Sequence, residues 1–184
     1  MQSALLVPSP LNIGIENSRR FRALPILCAL LSLGRDGYTE MIRRHVEFAR
    51  KLGRWMSSGE GSKWYEVLNL SLSLSSVSPS EAVVPLNIVL FRARAGPQCP
   101  SIYSPASSDG LGSSRLVRAI NDTRRLYVSP AENAVRIAVS NWMTGLPRPH
   151  YPANKDDFEI VTAALIDVMT SAVVPDVDSA TTYD

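Results

Sequence analysis

Lysine is scarce in this chain. Lys51, Lys63 and Lys155 stand against sixteen arginines, so chemistry that needs a lysine amine has three candidates. Cysteine is scarcer still: Cys28 and Cys99 are too few for a disulfide framework, which points to a reduced, cytoplasmic compartment. Cys28 sits in an apolar run, where a free thiol is expected to be buried and inert. With His45 and His150 the only histidines, no zinc site of familiar spacing can be built, and no metal ligands are assigned. Long apolar runs are missing as well. The longest, Ala23 to Leu33, contains Pro25 and falls short of the roughly 18–20 residues of a spanning helix, so no membrane association is expected. Met1–Val7 is apolar but lacks a basic flank and stops at Pro8, unlike a signal peptide.

Charge of one sign is not in strong excess either. A net charge of +2 and a pI near 8.7 are too mild to demand nucleic acid. The arginine pairs at 19/20, 43/44 and 124/125 lack the interleaved aromatics of an RNA-binding surface. The preference for arginine over lysine suits forked recognition of carboxylate or phosphate and ion pairs at interfaces. Most of these arginines are expected on solvated faces, where an ion pair contributes little.

What is present is the composition of a soluble globular domain: 184 residues, 45% hydrophobic and 20% charged. Pro8, Pro10 and Gly14 mark residues 1–17 as an extended lead-in. A helix is expected from about Arg19 to Leu33, capped by Ser18 and stopped by Gly34, with a kink or a late start at Pro25. From Gly37 to Met56 apolar residues recur at Tyr38, Met41, Ile42, Val46, Ala49, Leu52 and Met56, the period of an amphipathic helix. Tyr65–Leu70 and Val83–Ala93 read as strands, the second rich in Val, Ile and Leu with Pro85 near its start. The segment from Gly96 to Gly112, rich in Pro, Ser and Gly, reads as a mobile loop. Arg115–Arg125 predicts a short helix, Leu126–Ser129 and Ala134–Ser140 a strand pair, and Asp156–Thr170 a final helix. Phe158, Val161, Leu165 and Val168 form one face of that last helix. The acidic, polar tail from residue 173 is expected to be disordered. Helices on one face of a small antiparallel sheet make an α+β layer.

Three blocks carry a family resemblance. The first is Arg19-Arg20-Phe21-Arg22-Ala23-Leu24. The second is Gly34-x-x-Gly37 followed by Ile42-Arg43-x-His45-Val46. The third is Val135-Arg136-Ile137-Ala138-Val139-Ser140-Asn141, with Asn87–Arg92 and Leu116–Asn121 between. In order and spacing they resemble the C-terminal part of the pyridoxal-phosphate-dependent group II decarboxylases, the aromatic amino acid, glutamate and tyrosine decarboxylases. The resemblance implies the C-terminal small domain of the aspartate aminotransferase type of fold (fold type I), here residues 18–172. It also implies pyridoxal phosphate as cofactor, an amino acid substrate and a homodimer in the complete enzyme.

In that family the cofactor lysine lies before these blocks, and Lys51, Lys63 and Lys155 match none of its lysine motifs. No catalytic residue is therefore assigned, the cofactor-binding residues are unknown, and the chain alone is expected to be inactive. Arg136 is the residue the resemblance singles out, because related folds grip a substrate carboxylate with an arginine on the equivalent strand. A tight pair on the leaving carboxylate would stabilise the ground state, so Arg136 is expected to hold a retained carboxylate or orient the substrate. Arg19, Arg20 and Arg22 are expected to brace a domain interface, and His45 to pack or hydrogen-bond locally. The Ser/Leu stretch from Asn69 to Glu81 and the short link from Val128 to Ala134 depart from the family pattern. These departures suggest a truncated or mis-assembled chain. The rival expectation is a non-catalytic regulatory module that associates with a full-length relative.

Overall fold

The computed structural model describes residues 21–72, 82–146 and 156–172. Ser18, Arg19, Arg20, His150 and Lys155 lie outside them, as do most of the Ser/Leu stretch and the acidic tail. The chain divides into two compact units, Met1–Thr39 and Glu40–Asp184. Helix α1, Leu24–Ser57, contributes to both, and Gly34 interrupts it with φ 61° and ψ −175°. A side chain there would strain the backbone, which is why a glycine marks the break.

In the first unit the apolar side chains find little cover. Phe21, Ile26 and Leu31 are each more than 60% exposed, and Cys28 is exposed as well. The expectation of a buried Cys28 is thus corrected: an apolar run buries a thiol only where another element packs over it.

The second unit is an α+β layer. Strands β1 (Tyr65–Val67), β4 (Ile88–Ala93), β6 (Ala134–Ala138) and β5 (Ser129–Ala131) pair antiparallel in that order. β2 (Ser71–Leu72) and β3 (Ala82–Val83) form a separate two-stranded ribbon. The stretch from Val83 to Ala93 is therefore two strands, not one, broken where Pro85 removes a ladder donor. The first sheet strand ends at Val67 rather than Leu70. Beyond it the Asn69 amide continues the pairing, its Nδ2 donating to the Ile88 carbonyl at 2.8 Å and its Oδ1 accepting from Leu90 N–H at 2.9 Å. Asn121 does the same for Val128, at 3.0 and 2.8 Å, so the segment expected to be a strand from Leu126 is pinned by a side chain and pairs only from Ser129.

Alternation along β4 and β6 puts Val89, Phe91, Ala93, Val135 and Ile137 into the core. There they meet Leu52 and Met56 of α1, Leu116 and Ile120 of α2 (Gly112–Asp122), and Leu165 and Met169 of α3 (Asp157–Ser171). Tyr65 stacks edge-on against Phe91 at 5.4 Å and donates its hydroxyl to the Leu165 carbonyl at 2.8 Å, tying sheet to helix. Helix α3 begins in a capping box, Asp156 accepting from Glu159 N–H and Glu159 from Asp156 N–H. The segment between Gly96 and Gly112 is more ordered than a mobile loop. It holds a 3-10 turn at Ser101–Tyr103, and Tyr103 is buried in the core.

Candidate functional site

Among the described residues, all three helices contribute side chains to one buried face of the four-stranded sheet. The opposite register carries Glu66, Ile88, Leu90 and Arg92, which are half-buried, Ala134, which is buried at the strand start, and the exposed Arg136 and Ala138. Arg136 sits in β6, opposite Leu90 on one side and Ser129 on the other, and its side chain is exposed. Among the described residues it makes no hydrogen bond and no ion pair. Arg92 faces the same way and donates its Nε to Glu66 Oε2 at 3.0 Å. Arg92 and Glu66 were not legible as site residues from motifs. The signal for them is strand parity, which places every second residue of β4 beside Arg136.

The end of the Arg136 strand is clamped from α1. His45 is buried, and its Nε2 is 2.9 Å from the Asn141 carbonyl. Arg44 donates to the Thr144 carbonyl at 2.8 Å and to the Trp142 carbonyl at 3.4 Å. Asp157 accepts from Gly145 N–H at 2.9 Å, and the Asn87 side chain donates to the Val139 carbonyl at 3.0 Å. The His45 motif thus holds the turn that follows β6.

A cleft of about 380 Å³ lies against the helix side of β6, where Ile137, Val139, Phe48 and Val161 give it an apolar floor. Arg125 stands at its rim, paired with Asp167 at 2.6 Å. Arg136 does not line this cleft.

The other residues singled out in the sequence stand apart from Arg136. Lys51 is exposed, reaches Asp156 at 3.6 Å and lies 4.0 Å from the centre of the Phe158 ring. Lys63 pairs with Glu60 and covers the Trp64 ring at 3.9 Å. Both amines thus lie against a carboxylate and an aromatic ring, and neither lines the cleft. The described lysines therefore do not fit as the amine that would tether pyridoxal phosphate. Arg22 belongs to the first unit and is exposed. Among the described residues no cluster of His, Cys, Asp and Glu could hold a metal ion, and no helix is long and apolar enough to cross a membrane.

The fold is that of the C-terminal part of decarboxylase structures. Catharanthus roseus tryptophan decarboxylase, solved in complex with L-tryptophan, superimposes with a TM-score of 0.52 at 19% identity over 88% of this chain. Oryza sativa TDC, solved with PLP and tryptamine, gives 0.52 at 20% identity over 87%. The chain spans 28% of the length of each. No protein-family model matches the sequence, and no curated relative matches it.

Proposed function

We propose that this chain is the C-terminal small domain, with its leading helix, of a pyridoxal-phosphate-dependent amino acid decarboxylase. Residues 18–172 form that domain in this reading, 1–17 lead into it, and 173–184 are a tail. The observation that carries it is Arg136: an exposed guanidinium, without a partner among the described residues, on the sheet of a lobe folded like the C-terminal part of decarboxylase structures. A carboxylate docked there forms a forked, charge-assisted pair. It is a carboxylate the product keeps, since holding the departing one would oppose its loss of charge. Arg19, Arg20 and Arg22 brace the junction with the cofactor domain. In the complete enzyme of this reading, pyridoxal phosphate would supply the electron sink for carbon dioxide release. The complete enzyme is a cytoplasmic homodimer, and this chain alone does not turn over an amino acid. The genomic DNA immediately upstream of the Met1 codon tests the reading. An in-frame segment encoding a His-Lys pair supports it; an upstream region without one counts against it.

A second reading, a non-catalytic module that binds a full-length relative, is favoured by the exposed apolar side chains of the first unit, Phe21, Ile26, Leu30 and Leu31. Co-purification with a full-length decarboxylase supports this module. A monodisperse monomer that captures none contradicts it.

A further inference from the structure

The sheet face that bears Arg136 carries more positive charge than one carboxylate needs. Leu90 is directly opposite Arg136, and Arg92 lies two residues further along β4, which makes Arg92 and Arg136 diagonal neighbours on one face. Diagonal positions in an antiparallel pair are roughly 7–8 Å apart, within reach of long side chains. Glu66 engages Arg92 through Nε, and the two terminal nitrogens of Arg92 make no bond among the described residues. Arg94 follows in the same alternation just past the end of β4, exposed and without an ion pair among the described residues. Glu66 is thus set against three guanidiniums. Like charges on neighbouring strand positions repel, and neither Arg92 nor Arg136 is buried in a way that would force them together for packing.

The geometry points to a two-point anion site: Arg136 and Arg92 together bind a small dianion, with Glu66 holding Arg92 by its Nε and leaving its outer edge free. The inference rests on the reading of Arg136 above and specifies its ligand. A single carboxylate satisfies one fork, whereas two negative charges within one molecule satisfy both and remove the repulsion between them. A short dicarboxylate and a phosphate group share this chemistry.

The test is titration of the full chain with butanoate, succinate and inorganic phosphate, followed by the side-chain Nε–Hε resonances of its arginines. A dianion is expected to bind about tenfold more tightly than butanoate, each fork adding a charge-assisted pair. In Arg92→Gln this preference falls to about twofold or less, while butanoate still binds. Arg92→Lys, which keeps charge but not the fork, lies between. Succinate ahead of phosphate assigns the site to dicarboxylates, and the reverse to phosphate groups. Equal affinity for butanoate and both dianions, with binding lost in Arg136→Gln, overturns the two-point site and leaves the carboxylate reading of Arg136 standing. Absence of any saturable shift overturns both. Far-ultraviolet circular dichroism of each variant confirms that the fold is kept.

Discussion

At the scale of single residues, the two cysteines separate cleanly. Cys28 is exposed, whereas Cys99 is half-buried and desolvation raises its thiol above the ordinary range. Iodoacetamide at pH 8 should therefore alkylate Cys28 well before Cys99, read by mass spectrometry of timed samples. Equal rates would show that something covers Cys28. His45 gives a second outcome. It is buried and bonded to the Asn141 carbonyl, so His45→Ala should destabilise the second unit by roughly 1–3 kcal/mol in urea unfolding, a lost bond plus a cavity. Its place in a helix was legible from spacing. Its partner was not, because Asn141 is 96 residues away and nothing local fixes that meeting.

Elements were legible in proportion to how local their cause is. The helix face at Ala49, Leu52 and Met56, and the alternation of Val89, Phe91 and Ala93, follow from periods of 3.6 and 2 written in the chain. The pinning of Val128 by Asn121, and of Ile88 and Leu90 by Asn69, depends on tertiary approach. No periodicity announces a side-chain amide that replaces a strand. Caps are local and testable. Asp156→Ala should cost about 1 kcal/mol through loss of the capping box, measured by thermal or urea unfolding.

Asp109 organises the turn before α2 by accepting from Leu111 N–H at 3.0 Å and pairing with Arg115. The Leu111 N–H chiefly, with the Arg115 guanidinium next, holds its carboxyl below the ordinary aspartate value of about 3.8. A depressed folded-state pKa means this contribution is fully present above about pH 3.8 and is lost as pH falls through the lower folded value. Asp109→Ala should therefore be less stable than the parent at neutral pH, and the gap should close as the pH is taken well below 3.8. A gap that is constant with pH would assign the effect to the turn backbone instead.

For the molecule as a whole, the central claim is a division of labour between the two sides of one sheet. One side is a core packed by three helices, and the other carries the exposed Arg136, for which a carboxylate-binding role is proposed above. Composition and periodicity led to an α+β layer with helices on one face, and the coordinates have that layer. The alternation of Val135, Ile137 and Val139 sets Arg136 on the other face, but composition and periodicity left open which strands lie beside it, since that depends on pairing between distant segments. The competing location is the cleft against the helix side of β6, with Arg125 at its rim. A single backbone amide chemical-shift map during titration with succinate decides between them. The account predicts saturable shifts clustered on Glu66, Leu90, Arg92, Arg136 and Ala138, abolished in Arg136→Gln. Shifts clustered instead around Phe48, Arg125 and Val161, or a map unchanged by Arg136→Gln, would contradict it.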